Sequence, residues 1–140
     1  MIRTSSSEDD TAAVARDLAQ QLGPDTVVLL TGDLGAGKTA FVRGLAEGLG
    51  ADPAEVSSPT FTLIQEYRGG RLTLHHIDLY RLTPREVDDL GLDDLIVEGG
   101  VVAVEWPDRW LSAPAEAVRV TLTATGDTDR AIEIQSYSDR

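Results

Sequence analysis

Cysteine is absent from this sequence, and histidine occurs only twice. Without cysteine the chain has no disulfides, no thiolate metal ligands and no cysteine nucleophile. The two histidines, His75 and His76, are adjacent, so on a strand their side chains face opposite sides and cannot both serve one site. A metal site built on histidines is therefore not expected, and we expect His76 to be packed or hydrogen-bonded.

Long hydrophobic runs are missing as well. No stretch approaches the roughly 20 apolar residues that a membrane-spanning helix needs, and Met1–Ser5 lacks the apolar core of a signal peptide. We therefore expect a cytoplasmic protein. A length of 140 residues suffices for one sizeable hydrophobic core, so residues 1–140 are interpreted as a single domain.

Positive charge is scarce. Twelve Lys and Arg residues face 24 Asp and Glu residues, which gives a formal net charge of −12. Affinity for nucleic acid comes largely from Lys and Arg contacts to phosphates, so this balance argues against the chain alone gripping RNA or DNA. If RNA is involved, a basic partner should hold it.

A phosphate-binding loop is the most informative feature that is present. Gly32–Thr39 reads GDLGAGKT and fits the pattern G-x-x-x-x-G-K-[ST]. The apolar run Thr26–Leu30 before it predicts a buried strand, and Phe41, Leu45 and Leu49 after it recur at helical spacing. Glycines between a strand and a helix let backbone N–H groups curl around a polyphosphate, and the helix N-terminus adds partial positive charge.

This loop predicts a nucleotide site with Mg²⁺. Lys38 is expected to reach the β- and γ-phosphates, and the Thr39 hydroxyl is expected to coordinate Mg²⁺. The residues expected to contact the nucleotide are Asp33, Leu34, Gly35, Ala36, Gly37, Lys38, Thr39 and Ala40. The segment 5–7 and the turn 126–130 are candidates for contacting the adenine.

Two carboxylates are candidates for the acidic partner that such a loop requires. Glu105 ends the apolar run Val101–Val104, as the acidic residue does in a Walker B element. Asp78 ends the predicted strand 72–77. Either carboxylate fits metal or water positioning, and the alternative is that each caps the turn that follows it.

A hydroxyl-rich segment, Ser57–Phe61, follows the loop by about twenty residues and is fixed by Pro59. It fits a switch in which Thr60 senses the γ-phosphate and Mg²⁺. It fits an ordinary connection into a strand equally well. Spacing alone leaves both interpretations open.

Helix signals flank the loop unit. Ser7 opens a helical pattern that Gly23–Pro24 closes. Thr83–Glu86 combines a threonine cap, a proline at the first helical position and a glutamate three residues after the cap. We predict that this second helix runs to about Leu90–Gly91.

Hairpin signals complete the predicted fold. The strand patterns 60–67 and 71–78 surround Gly69–Gly70, and the alternating segments 118–125 and 131–137 surround a turn at 126–129. Apolar parallel strands combined with alternating hairpins indicate a mixed sheet with helices on its faces. The fold class is therefore α/β, a three-layer phosphate-loop NTPase type with a mixed parallel and antiparallel sheet flanked by helices.

Four motifs, in order and at compatible spacing, together resemble one family. They are Gly32–Thr39, Ser58–Leu63, His76–Leu82 and Glu105–Trp106. In this combination the chain resembles the TsaE (YjeE) family, the bacterial ATPase of tRNA threonylcarbamoyladenosine biosynthesis. The resemblance runs from about residue 7 to about residue 109.

The resemblance implies a role for each matching residue. Lys38 and the loop amides would hold the ATP phosphates, and Thr39 would ligate Mg²⁺. Glu105 would act at the metal site, Asp78 would have a catalytic or metal-linked role, and Thr60 would act as a switch. Of the other matching residues, Tyr80, Arg81 and Trp106, it implies only that they flank the site.

The resemblance also implies partners. These are the threonylcarbamoyl transferase subunit and its dimerisation partner, whose turnover is supported by an ATP hydrolysis that is weak in the isolated protein. The acidic charge of the chain fits this arrangement, because the partners would hold the tRNA.

The sequence leaves two other functions open. A small-molecule kinase also uses a phosphate loop, although no Arg-rich lid insertion is evident here. A nucleotide-dependent scaffold would bind ATP without needing to hydrolyse it. A GTPase is not indicated, because the sequence contains no Asn-Lys-x-Asp.

Overall fold

The computed structural model describes residues 1–33, 35–51 and 64–136. In chain order its elements are β1 (Ile2–Ser5), α1 (Glu8–Ala19), β2 (Thr26–Thr31), α2 (Lys38–Leu49), β3 (Ile64–Tyr67), β4 (Leu74–Asp78), α3 (Pro84–Asp88), α4 (Leu92–Ile96), β5 (Val101–Glu105), β6 (Val118–Ala124) and β7 (Arg130–Gln135). A 3₁₀ turn, Pro107–Arg109, follows β5. No helix in these described ranges is both long and apolar enough to cross a membrane.

The strands form one sheet in the order β1-β7-β6-β2-β5-β4-β3. Its centre is parallel, because β2 pairs with β5 and β6 in parallel and β4 pairs with β5 in parallel. Its edges are antiparallel, through the pairs β3–β4, β6–β7 and β1–β7. The predicted mixed α/β fold class is confirmed.

The core lies on both faces of the sheet. Val28 and Leu30 of β2 pack with α1 and α2, whereas Val27 and Leu29 pack on the opposite face with residues of α3 and α4. Successive side chains of a strand point to opposite faces, so an uninterrupted apolar run is buried on both sides. This two-sided burial of β2 produces the three layers that the sequence predicts.

Helices α1 and α2 pack closely because glycine lies at their contact. A Cβ atom built on Gly44 would lie 2.1 Å from the carbonyl oxygen of Ala12, and one built on Gly48 would lie 2.6 Å from Cβ of Ala19. These distances are well inside van der Waals contact, so only glycine fits at either position. The close packing holds α1 against the helix that begins at the phosphate loop.

Both predicted helix starts are found. The Ser7 side chain accepts a hydrogen bond from the Asp10 backbone N–H, and Thr83 forms a capping box with Glu86. The predicted end of the second helix at residues 90–91 is wrong. Helix α3 ends at Asp88, because Gly91 adopts φ 72° in the left-handed region and a separate short helix, α4, begins after it.

Both predicted hairpins are found within the described residues. The strand β3 is described from Ile64, so the part of its predicted pattern at 60–63 lies outside the described residues. Strand β1, which the sequence patterns do not predict, pairs with β7 at the sheet edge. It is only four residues long, and three of its positions are not fully buried, so its burial pattern carries little periodicity.

Candidate functional site

The phosphate loop connects the end of β2 to the start of α2. Gly35 and Gly37 adopt φ 81° and 103°, in the left-handed region that favours glycine. The N–H of Phe41 donates to the carbonyl of Gly37 at 3.0 Å. The preceding amides of α2, from Lys38 to Ala40, belong to the first turn, which has no intrahelical acceptors. The loop therefore presents a cluster of backbone donors suited to an anion.

Lys38 lies at the mouth of this loop and is the only lysine in the sequence. Its side chain is buried, with 6% of the residue exposed. The Nζ atom donates to the carbonyl oxygen of Gly32 at 2.6 Å and lies 4.2 Å from the ring centroid of Trp106. The carbonyl and the aromatic face stabilise a buried ammonium group that is oriented toward the loop.

Trp106 belongs to the site as well as to the core. It adopts φ 59°, which is unusual for a residue with a side chain, and its ring packs on Tyr80 with the centroids 4.9 Å apart. The guanidinium of Arg109 lies 5.9 Å from the same ring. Trp106 thus contacts both the buried Lys38 and the exposed side chain of Tyr80.

The two candidate carboxylates meet at the same end of the sheet. Asp78 and Glu105 are register partners at the ends of the adjacent parallel strands β4 and β5. In the same register Leu30, one residue before the end of β2, is the partner of Glu105 on its other side, and the phosphate loop follows β2. Ligand sites of parallel α/β sheets lie at the carboxyl ends of strands, where these groups converge.

His76 is hydrogen-bonded to Glu105, as one of the two expectations for this residue predicts. Its Nε2 atom lies 2.5 Å from Oε2 of Glu105, and the side chains are 0% and 6% exposed. The Nδ1 atom of His76 has no hydrogen-bond partner among the described residues. The imidazole thus holds one carboxylate oxygen of Glu105.

Asp78 is half-buried beside this pair. Burial raises the pKa of its carboxyl above the ordinary value of 3.8, and the charge of Glu105 acts in the same direction. A hydrogen bond from the Tyr80 N–H, at 2.9 Å, opposes the increase in the pKa, as do the charges of His76 and Lys38. Two carboxylates that repel each other at the end of a sheet are suited to a divalent cation.

A cleft of about 320 Å³ brings together Lys38, Thr39, Asp78 and Glu105 with Trp106. The side chains of Thr39, Asp78 and Glu105 offer hydroxyl and carboxylate oxygens, which are the ligands that Mg²⁺ prefers. Within the described ranges no group of three or more His, Cys, Asp or Glu side chains forms a metal cluster. The oxygens of Thr39, Asp78 and Glu105 fit a Mg²⁺ ion that completes its coordination with water and phosphate oxygens.

A second cleft, of about 430 Å³, adjoins the other side of the loop. It shares Gly35, Gly37 and Ala40 with the first cleft. Its walls come from the start of α1 and from the β6–β7 turn, including Ser6, Ser7, Asp127, Thr128 and Arg130. The two segments that the sequence suggests for the adenine are thus brought together next to the loop.

Not every predicted site residue is described. Leu34, Thr60 and the proposed switch Ser57–Phe61 lie outside the described residues. Asp33 is exposed, and its carbonyl accepts a hydrogen bond from the Ala36 N–H at 3.0 Å.

Two contacts of the site were not predicted from the sequence: that of His76 with Glu105 and that of Arg130 with the phosphate loop. His76 is two positions before Asp78, so the alternation of a strand could have placed both on one face with Glu105. Arg130 donates to the carbonyls of Gly35 and Ala36 in the phosphate loop, across 95 and 94 residues of sequence. No local pattern in the sequence indicates this contact.

A family model and individual relatives point to the same family. The model of the family described as "Threonylcarbamoyl adenosine biosynthesis protein TsaE" matches residues 5–132. Two relatives carry the name "tRNA threonylcarbamoyladenosine biosynthesis protein TsaE". The one from Nostoc sp. is 45% identical over 126 residues, covering 86% of this chain and 76% of the relative. The one from Bacillus subtilis is 42% identical over 133 residues, covering 94% and 83%.

A solved structure matches the fold as well. The crystal structure of YdiB from Bacillus subtilis superimposes with a TM-score of 0.81 and is 36% identical in sequence. The match covers 97% of this chain and 84% of that chain.

Proposed function

Since this chain belongs to the TsaE family of tRNA threonylcarbamoyladenosine biosynthesis proteins, we propose that it binds ATP with Mg²⁺ and hydrolyses it within that pathway. Hydrolysis supports the turnover of a complex of the threonylcarbamoyl transferase subunit and its dimerisation partner. The isolated protein hydrolyses ATP weakly, because the partners complete the reaction cycle.

One observation carries the ATPase proposal. The glycine backbone of the loop, the buried Lys38 and the carboxylates of Asp78 and Glu105 converge at the carboxyl ends of β2, β4 and β5. Donors for phosphate oxygens and oxygen ligands for a cation thus line one cleft, which is the arrangement that phosphoryl transfer requires.

Lys38 has to exchange one partner when ATP binds. Its Nζ atom donates to the Gly32 carbonyl, and we propose that the β- and γ-phosphate oxygens take the place of that carbonyl. The aromatic face of Trp106 keeps the ammonium group at the mouth of the loop during this exchange. The first-turn amides of α2 bind the phosphates at the same time.

The two carboxylates serve the cation and the attacking water. Thr39 and one or both carboxylates would hold Mg²⁺, which when bound neutralises charge on the β- and γ-phosphate oxygens. Glu105, whose Oε2 is fixed by His76, orients the attacking water with its other oxygen. Water then attacks the γ-phosphorus, the bond to the β-phosphate oxygen breaks, and ADP and phosphate leave.

The second cleft would hold the nucleoside. It adjoins the phosphate loop through Gly35, Gly37 and Ala40. A nucleotide whose phosphates lie in the loop can therefore extend its nucleoside into this cleft. The hydroxyls of Ser6, Ser7 and Thr128 supply hydrogen-bonding groups at its walls.

The acidic net charge supports the division of tasks with partners. With a net charge of −12 the chain is poorly suited to hold tRNA itself. Contact with tRNA would then be indirect, through the two partner proteins.

Lys38→Ala tests the central proposal. The variant should fold, because Lys38 belongs to neither hydrophobic cluster of the core, and its affinity for ATP with Mg²⁺ should fall by about a hundredfold or more in calorimetry. Arg119→Ala, which removes an exposed positive charge from β6, is the matched control and should bind as the wild type does. Wild-type affinity and turnover in Lys38→Ala would contradict the proposal.

A second experiment tests whether the partner complex needs ATP hydrolysis or only ATP binding. The two partner proteins are assayed for repeated turnover with ATP and with a non-hydrolysable analogue. Turnover with ATP alone supports an ATPase, whereas equal turnover with both nucleotides would identify a scaffold that needs only to bind.

A further inference from the structure

The side chain of Arg130 joins the β6–β7 turn to the phosphate loop. Its Nε atom donates to the carbonyl of Ala36 and its Nη2 atom donates to the carbonyl of Gly35, each at 3.1 Å. Its Nη1 atom contacts three carbonyls of the turn, those of Gly126, Asp127 and Asp129, at 3.2, 3.4 and 2.8 Å. One guanidinium group thus bridges two segments that are more than 90 residues apart in the chain.

The acceptors of Arg130 are all backbone carbonyls. No ion pair within the described ranges includes this guanidinium. An arginine that serves only charge balance would meet a carboxylate, which is the usual partner of its planar fork. Here the guanidinium group instead donates to peptide carbonyls of the loop and so fixes the orientation of those peptide groups.

The peptide geometry shows what this orientation does. In a planar trans peptide the C=O and the N–H point in opposite directions. The carbonyl of Ala36 points at the guanidinium, so the N–H of Gly37 points away from it. The N–H of Ala36 is already bonded to the Asp33 carbonyl, whereas that of Gly37 has no acceptor among the described residues. Arg130 therefore holds the N–H of Gly37 in one direction.

The glycines explain why the loop needs such a fixed point. Gly35 and Gly37 have positive φ angles, and a Cβ atom at Gly35 would meet no atom within 4 Å. Neighbouring side chains thus do not restrict Gly35, and glycine has the greatest conformational freedom of any residue. Without the two hydrogen bonds from Arg130 this part of the loop would sample several orientations.

Arg71 shows how the contacts of Arg130 differ from an arginine that only connects two segments of the fold. Arg71 also donates to two carbonyls, those of Ala19 and Leu22 at the end of α1. Those acceptors lie away from both clefts and stabilise a helix end. The acceptors of Arg130 lie in the loop itself, and Arg130 lines the second cleft.

We propose that Arg130 is a positioning residue of the nucleotide site, which preorganises the phosphate loop by clamping the Gly35 and Ala36 carbonyls to the β6–β7 turn. This inference rests on the proposed function for its purpose, since a preorganised loop matters only if a polyphosphate binds there. Preorganisation raises affinity because the ordering cost is removed before the ligand arrives. The same hydrogen bonds connect the loop to the wall of the second cleft. The phosphate-binding part and the nucleoside-binding part of the site therefore keep a fixed relative position.

The test compares Arg130→Lys, Arg130→Gln and the control Arg119→Gln. Lysine keeps the positive charge but has one nitrogen, so it cannot bond the loop and the turn in the same way. Amide order parameters from ¹⁵N relaxation report the loop without nucleotide, and calorimetry reports ADP affinity. In both Arg130 variants we expect order parameters at Gly35 and Gly37 to fall from about 0.85 to below about 0.6, with β2 unchanged. ADP affinity should fall by about tenfold in both.

Each outcome decides one of the two proposals. Arg130→Lys with wild-type loop order and wild-type ADP affinity would overturn the clamp, because charge alone would then suffice. A wild-type protein that binds no ADP would overturn the proposed function, whereas the relaxation data would still decide the clamp. If Arg130→Gln does not fold, Arg130→Lys alone provides the same comparison with Arg119→Gln.

Discussion

Nε2 of His76 lies 2.5 Å from Oε2 of Glu105, and both side chains are almost completely withdrawn from water. His76 lies within β4 and Glu105 ends β5, so the contact crosses two neighbouring parallel strands. A carboxylate in such surroundings is costly unless a donor satisfies it. The imidazole supplies that donor and determines where the carboxylate of Glu105 points.

His76→Phe should therefore lower the free energy of unfolding by about 2–4 kcal/mol, because it leaves the Glu105 carboxylate buried without its donor. Urea denaturation measures the change. His75→Phe is the matched control, since His75 is also buried but its Nε2 atom lies 3.8 Å from the nearest carboxylate oxygen, that of Glu98. In a Glu105→Gln background the His76→Phe penalty should shrink. Equal penalties for the two histidines would contradict this assignment.

Glu105→Ala should reduce ATP hydrolysis much more than nucleotide binding, because the loop amides and Lys38 still hold the phosphates. Single-turnover measurements with saturating ATP give the rate of the chemical step, for which we expect a loss of about a hundredfold or more. The same measurements on Asp78→Ala rank the two carboxylates. A collapse of ATP affinity with normal turnover of bound nucleotide would assign Glu105 a different task.

Asp78→Asn should stabilise the nucleotide-free protein at neutral pH. The pKa of Asp78 is raised by burial, so its ionised form costs the folded state free energy. That cost is absent below the ordinary pKa of 3.8 and develops as the pH rises above it. In EDTA, the Tm of the variant should exceed that of the wild type by roughly 1–3 °C at pH 7, since solvent screens a half-exposed group. The difference should vanish toward about pH 3.5.

The asparagine keeps an oxygen that can accept the hydrogen bond from the Tyr80 N–H, so the comparison isolates the charge. Thermal scans across the pH range follow the difference in Tm. A wild type more stable than the variant at pH 7 in EDTA would show that the carboxylate charge is favourable there.

Thr60→Ala tests whether Ser57–Phe61 is a switch or a connector. If the segment responds to the γ-phosphate, only ATP favours its ordered state through a differential contact. The variant should keep its ADP affinity, lose much of its preference for ATP and fail to support the partner complex. Calorimetry with both nucleotides and the partner turnover assay measure these effects.

Hydrogen exchange in the wild type gives an independent measurement of the same switch. The segment should exchange differently with ADP and with an ATP analogue. Identical exchange in both states, together with full complex activity of Thr60→Ala, would leave the segment as a connector. The influence of the nucleotide on the partners would then run through another element, most simply the stretch Asp78–Arg81.

Local patterns determined much of the fold. The apolar run of β2, the glycine spacing of the loop and the helical repeat of α2 are contiguous in sequence, so their physics is readable without the rest of the chain. The same holds for the cap residues Ser7 and Thr83, whose side chains bond backbone groups three residues away. The end of α3 was mispredicted because the pattern continued to Leu90, whereas the left-handed conformation of Gly91 interrupted the helix.

By itself the sequence thus determined the phosphate loop, the α/β class and the two carboxylates that end apolar strands. Only the tertiary structure decided that Asp78 and Glu105 are register partners, that His76 holds Glu105 across 29 residues, and that Arg130 reaches the loop across more than 90. The physical reason is the range of each interaction. Periodicity and capping act between neighbours in the chain, whereas these contacts arise from strand order, and strand order follows from how the whole sheet buries its two faces.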